Sequence, residues 1–270
     1  MGQSSEIAGG VSRVALGIVN AYLVDSPDDG FVLVDSGLPN TFKRLQAAME
    51  ASESPGSRPL AVVLTHGHGD HVGGLFELDP EVPVYAHPDE IPYLTGQAQY
   101  PKPRGGLMAW ALSLMPMRLP DLTGRARPLP GDGSVPHLPG WRWLHTPGHT
   151  SGHVSLYRDS DRTLVAGDAV RTSASLLPFP PRPPRVAAPG PAMTADAAAQ
   201  AHTLKLLAAL EPETLAAGHG NPMAGAEMRA QLGKLPSPTR AVIPAERRLP
   251  VVPVLAALAA VLLLIRGRRR

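Results

Sequence analysis

Thr65-His66-Gly67-His68-Gly69-Asp70-His71 puts four metal-capable side chains within six residues. The stretch directly follows residues 60–64, a short, continuous apolar run of the kind that forms a buried strand. Chance assembly of His-x-His-x-Asp-His from this composition is on the order of 10⁻³ per chain. In extended backbone His66 and His68, two residues apart, point the same way. Asp70 and His71 come where the chain turns toward a helix, so they can face a second position. Gly67, Gly69, Gly73 and Gly74 permit tight bending and close backbone approach. Neutral imidazole and carboxylate suit zinc, and also iron or manganese.

A four-ligand motif needs completion from elsewhere, and three stretches offer it in one form: an apolar strand, then a glycine turn, then a ligand. Trp143-Leu144-His145-Thr146-Pro147-Gly148-His149 supplies His149, Thr163-Leu164-Val165-Ala166-Gly167-Asp168 supplies Asp168, and Thr214-Leu215-Ala216-Ala217-Gly218-His219 supplies His219. Phe31-Val32-Leu33-Val34-Asp35-Ser36-Gly37 is similar, an apolar strand that leads into Asp35 with the glycine after it. Loops at strand ends on a rigid sheet are where active sites sit. The likeness of 163–168 to 214–219 would also fit two equivalent half-sheets. His153, four residues after His149, is expected to be structural; His145 is expected in or beside the sheet, and His87, His137 and His202 on the surface or supporting the site.

The wider pattern is α/β. Strands are predicted over 14–24, 31–34, 60–64, 82–86, 141–144, 154–157, 164–166 and 214–217, with helices over 41–51 and 194–210. Residues 88–140 are Pro-rich with apolar patches, and Tyr93, Tyr100, Met108, Trp110, Met115 and Met117 could form a lid or an ordinary helical layer. Residues 178–191 read as a stiff, proline-rich loop. With 43% hydrophobic and 18% charged residues in 270, wholesale disorder is excluded. The absence of Cys excludes disulfides, thiolate metal sites and a cysteine nucleophile. Neither a Gly-x-Ser-x-Gly elbow nor a dinucleotide glycine fingerprint is present.

The formal charge of +2 is misleading until it is divided along the chain. Arg266, Arg268, Arg269 and Arg270 hold four of the 25 basic residues, so the remainder carries 21 basic against 23 acidic. A mildly acidic body gives no support for nucleic-acid binding. The basic tail (266–270) closes residues 249–265, which carry no charge, after a proline-rich linker at 236–248. An uncharged run of this kind beside arginines points to a membrane-anchoring or transmembrane helix, although a span takes about 20 residues. Residues 1–10 contain no apolar segment of a secretory signal. The expected organisation is therefore a cytoplasmic catalytic domain over 11–235, with membrane contact through the C-terminal segment.

With these motifs the sequence resembles the metallo-β-lactamase-fold hydrolase superfamily over about residues 11–225. The resemblance implies a four-layer αβ/βα sandwich with two divalent metal ions at one edge, to which the chain adds the expected C-terminal apolar helix. His66, His68 and His149 would hold the first ion; Asp70, His71 and His219 the second; Asp168 would bridge them, and Asp35 would support the site. The implied chemistry is hydrolysis by a metal-bridging hydroxide, with Asp70 orienting it and passing its proton on. Lactonases, esterases and the thioesterase glyoxalase II are the branches that fit a small-molecule ester, lactone or thioester substrate. The subclass with a cysteine ligand is excluded by composition, and the large nuclease branch by length. A phosphodiesterase, or a persulfide dioxygenase using one iron, is the alternative on the same fold.

Overall fold

Gly30–Val34 (β4) is buried at all five positions, and a strand apolar on both faces has to lie between two layers. Its side chains alternate with the pleat. Phe31 and Leu33 join Leu45, Ala48 and Met49 in one core, while Val32 and Val34 join Trp141, Leu156 and Val165 in another. The structure is a computed structural model that describes residues 4–52, 58–101, 119–172 and 183–235.

Two sheets result. The first is seven-stranded and runs in chain order: Ser4–Ala8 (β1), Val11–Ala15 (β2), Asn20–Ser26 (β3), β4, Ala61–Val63 (β5), Val84–Ala86 (β6) and Ala126–Pro128 (β7). Its β1–β4 half is antiparallel and its β4–β7 half parallel. The second has five strands: Trp141–His145 (β8), Val154–Arg158 (β9), Thr163–Gly167 (β10), Thr214–Ala217 (β11) and Met223–Ala224 (β12), in the order β12-β11-β10-β9-β8. Phe42–Glu50 (α1) packs on the outer face of the first sheet. Ala197–Ala209 (α4) and Gly225–Gly233 (α5) cover the outer face of the second through Leu204, Leu207, Met228 and Leu232. Between them in sequence lie two single-turn helices, Gly69–Val72 (α2) and Ile91–Leu94 (α3). The layers thus run helix, sheet, sheet, helix, as the resemblance implies.

Several expectations need correction. Residues 14–24 form two strands, β2 and β3, joined by a turn in which Gly17 has φ +89°. The helix expected over 194–210 begins at Ala197, because Asp196 accepts hydrogen bonds from the Ala198 and Ala199 amides and so fixes its first turn. The similar segments 163–168 and 214–219 are not halves of a repeat: β10 and β11 are parallel neighbours in one sheet. Strands β1, β7 and β12 were not visible in the pattern. Of the lid residues, Met108, Trp110, Met115 and Met117 lie outside the described residues, as does part of the proline-rich loop. The C-terminal apolar helix expected over 249–265, with its linker and basic tail, also lies outside them; among the described residues no helix is long and apolar enough to cross a membrane.

The two sheets are stitched together at one edge. The Asn20 amide donates to Gly218 O at 2.8 Å, and its side-chain Nδ2 donates to Ala217 O and Gly220 O at 2.9 and 2.7 Å. The buried Tyr22 hydroxyl donates to Ala217 O at 2.6 Å, and the Val154 amide donates to Thr65 O at 2.9 Å. Tyr22→Phe removes one of these stitches while Ala217 O keeps its bond from Asn20, so a cost of about 0.5–1.5 kcal/mol is expected. Thermal unfolding should record a fall in Tm of a few degrees with no change in secondary structure; an unchanged Tm would mean that the bond contributes nothing.

Candidate metal centre

All seven expected ligands meet beside these stitches, each carried by the loop that follows a strand. His66 and His68 follow β5, and Asp70 and His71 lie in α2, which the same loop enters. His149 lies between β8 and β9, Asp168 follows β10, and His219 follows β11. The chain passes so close here that a Cβ on Gly218 would overlap the Asp168 carboxylate and approach His71 Cε1 at 2.8 Å. Only glycine fits at that position.

His66, His68 and His149 converge. His66 Nε2 lies 3.1 Å from His68 Nδ1 and 3.1 Å from His149 Nε2, and His68 Nδ1 lies 2.9 Å from His149 Nε2. The other ring nitrogens decide the tautomers. Thr65 Oγ1 donates to the Asp35 carboxylate at 2.8 Å, so it accepts from His66 Nδ1 at 3.1 Å. His149 Nδ1 can only donate to Met193 O. The protons of both rings are thus placed away from each other, and two Nε2 lone pairs face across 3.1 Å. A single proton on His68 Nδ1 cannot fully satisfy both, whereas a cation among the three nitrogens would. A tetrahedral site with bonds of about 2.0–2.1 Å would hold its nitrogens about 3.3–3.4 Å apart, close to the spacing here.

A second group adjoins the first. His219 Nε2 lies 3.2 Å from Asp168 Oδ2 and 3.4 Å from Asp70 Oδ2, and His71 Nε2 lies 3.5 Å from Asp168 Oδ1 and 3.8 Å from Asp70 Oδ2. Asp168 Oδ2 is also 3.6 Å from His149 Nε2, so this carboxylate faces both groups. His71 Nδ1 donates to Asp35 Oδ2 at 2.8 Å, and His219 Nδ1 to Ile18 O at 2.7 Å. Buried side-chain nitrogen and oxygen atoms are almost always hydrogen-bonded. Five among the described residues are not, and three of those are His71 Nε2, His219 Nε2 and Asp168 Oδ1. The residues present therefore fit a pair of metal ions.

Residues 14–219 match the profile of the metallo-beta-lactamase superfamily. The chain belongs to that superfamily. A probable metallo-hydrolase of Bacillus subtilis, YflN, is 39% identical over 244 residues, covering 87% of this chain and 92% of its own length. The crystal structure of TTHA1623 in a di-iron-bound form shares 31% identity and a TM-score of 0.53, over 81% of this chain and 93% of that one. A hydroxyacylglutathione hydrolase of Rhodopseudomonas palustris is 30% identical over 121 residues, which is 44% of this chain and 37% of the relative.

Within this metallo-beta-lactamase fold, Asp35 is the side chain on which both groups hang. It is buried, adopts φ +60°, and accepts from the Thr65 amide, Thr65 Oγ1 and His71 Nδ1, each at 2.8 Å. It thus fixes the tautomer of His71 directly and that of His66 through Thr65. A left-handed aspartate is strained, and such strain persists where the surroundings over-determine it. His153 is structural, as expected. Its Nε2 accepts from the Asp168 amide at 2.9 Å, so its proton sits on Nδ1 and is donated to Thr146 Oγ1 at 2.9 Å.

His87 and His145 stack at 4.2 Å with planes 10° apart. With Asp89 they form a further cluster at the surface. Parallel rings do not aim their in-plane lone pairs at one point, and His145 Nε2 already donates to Ser151 O at 2.8 Å. His145 ends β8 with its side chain exposed, beside the sheet as expected. Sequence reasoning missed Glu90, which is fully buried beneath the loops of His68 and His149. Its neighbours Pro88 and Asp89 carry no pattern that marks it.

Charge divides the two groups. Burial, reinforced by the neighbouring imidazoles, lowers the pKa of His66 well below its ordinary value and that of His68 to about 3. Burial also lowers His149. Burial acts the same way on His71 and His219, but carboxylates outweigh it: Asp168, Asp35 and Asp70 hold His71 well above the ordinary value, and Asp168 and Asp70 raise His219 to about 10. Above pH 6.5 the first group thus offers bare lone pairs, whereas a cation entering the second must displace protons. For chain stripped with a chelator, affinity for the first ion should be flat between pH 6.5 and 9, and affinity for the second should climb with pH. Calorimetric titration with Zn²⁺ across that range checks this; equal slopes for both steps would contradict the division.

Proposed function

We propose that the chain is a hydrolase that uses two divalent metal ions to cleave an ester, lactone or thioester bond of a small molecule. The observation that carries this reading is the pair of unprotonated His66 and His149 nitrogens facing each other beside the unpartnered His71, His219 and Asp168 atoms. His66, His68 and His149 would hold one ion, Asp70, His71 and His219 the other, and Asp168 both. Zinc suits these donors, with iron or manganese as alternatives. Bound there, such ions lower the pKa of water toward 7 and polarise a substrate oxygen.

The chain's own part is to orient and to move a proton. His68 and Asp70 are the most exposed of the seven, so substrate approaches from their side. Burial raises the Asp70 pKa, but the charges of His71 and His219 outweigh it and hold it below its usual value, so the carboxylate is ionised. An ionised Asp70 can take a proton from the attacking water and return it to the leaving oxygen or sulfur. The acidic body disfavours nucleic acid as substrate. The matched hydroxyacylglutathione hydrolase, named for an acylglutathione, supports a thioester as one member of the substrate class.

The test is elemental analysis of the full chain, purified without added metal or chelator, followed by a panel of lactones, thioesters and phosphodiesters. Two divalent ions per chain and turnover of a lactone or thioester are expected. Asp70→Asn and His66→Ala should each lower kcat by about 10² or more with the fold retained. Wild-type turnover in either variant would sink the assignment. One iron per chain with oxygen consumption would replace it by the persulfide dioxygenase reading, and turnover of phosphodiesters alone would change the substrate class.

A further inference from the structure

We propose that Glu90 is a positioning residue for the first metal position, a buried carboxylate that buckles the loop of His66 and His68 to the loop of His149. The inference rests on the two-metal reading above and concerns residues outside the ligand set. Glu90 ends the short turn Pro88–Glu90 and is 0% exposed. A buried carboxylate must be paired or fully hydrogen-bonded, and among the described residues no Lys or Arg pairs with Glu90. Four donors satisfy it instead. Oε2 accepts from the Gly67 amide at 2.9 Å and from the Tyr100 hydroxyl. Oε1 accepts from Thr150 Oγ1 at 2.6 Å and from the Gly152 amide at 3.0 Å. One oxygen therefore holds the residue between His66 and His68, and the other holds the residues just after His149.

The packing agrees with the hydrogen bonds. A Cβ on Gly67 would overlap the Tyr100 hydroxyl, and a Cβ on Gly152 would come within 2.8 Å of Glu90 Cγ. The two loops are glycine where the Glu90–Tyr100 pair presses on them. The Tyr100 ring also meets the His68 ring edge-on at 4.7 Å, and Tyr93 stacks behind it at 4.1 Å. Among the described residues the second position has no such tie. His71 is held by Asp35 and His219 by Ile18 O, and none of the four donors to Glu90 belongs to that group. The buckle thus acts on one metal position and not on the other.

Glu90→Gln provides the test, because an amide accepts at one oxygen only and leaves two of the four donors facing an NH₂ group. The full chain, stripped with a chelator, is titrated calorimetrically with Zn²⁺. The wild type should fill two positions. In Glu90→Gln one step should weaken tenfold to a hundredfold, the other should stay within twofold, and the weakened step should be the one that disappears in His149→Ala. Tyr100→Phe removes a single donor and should weaken the same step by a smaller factor; it carries the test alone if Glu90→Gln does not fold. Both steps weakened alike, both unchanged, or a lowered Tm with unchanged zinc affinity would overturn the inference. A wild-type chain that takes up fewer than two zinc ions would instead defeat the two-metal reading on which it rests.

Discussion

Two imidazole nitrogens without protons, held 3.1 Å apart with their lone pairs opposed, are the constraint around which the rest is arranged. Beside them, buried carboxylates crowd a second pair of imidazoles. No isolated peptide would hold such groups together, since each repels its neighbour or loses hydration on burial. The three apolar layers do the holding. Phe31, Leu33 and Leu64 on one side of the first sheet, Val32, Val34 and Val63 between the sheets, and Leu164, Leu207 and Leu215 on the outer face of the second keep the strands rigid. Strand ends on such a frame can be forced close at small local cost. The tautomers are then set by groups that are themselves fixed: Asp35, Thr65, Met193 O and Ile18 O.

The seven candidate ligands were legible because of where the centre lies. His66, His68, Asp70 and His71 fall in one short loop, so their spacing alone marks them. His149, Asp168 and His219 are far away in sequence, but each follows an apolar strand and a glycine, and strand ends are where this fold gathers its polar residues. Glu90 and Thr146 were not legible, and Tyr100 stood out only as a member of a lid or helical layer. They act by approach in space, and nothing in Pro88-Asp89-Glu90 or Gln99-Tyr100 distinguishes a side chain that hydrogen-bonds beneath the site from a solvated one.

The same distinction explains the errors in the fold. The turn between β2 and β3 looks like strand in the sequence because Leu16 and Val19 are buried within it, so the apolar pattern runs on through the bend. Gly17, with its positive φ, was the one local sign. At α4, Thr194 and Asp196 are both residues that favour helix starts; the choice fell to the carboxylate that reaches two free amides, which composition does not reveal. The short edge strands β1, β7 and β12 hold their places through neighbours already paired, so little in their own sequences announces them.

The stitches between the sheets have a consequence for the order of assembly. The bonds from Asn20 to Ala217 and Gly220, and from His219 to Ile18, join residues 197 to 201 positions apart, whereas His66 and His149 are separated by 83. Contacts of long sequence separation form slowly, because chain entropy is lost before they return any stability. During synthesis, which proceeds from the N-terminus, the three histidines of the first group have all emerged well before β11 exists. The second group waits for the last strands and for the longest closures in the fold. The two halves of the centre are thus unequal in time as well as in charge.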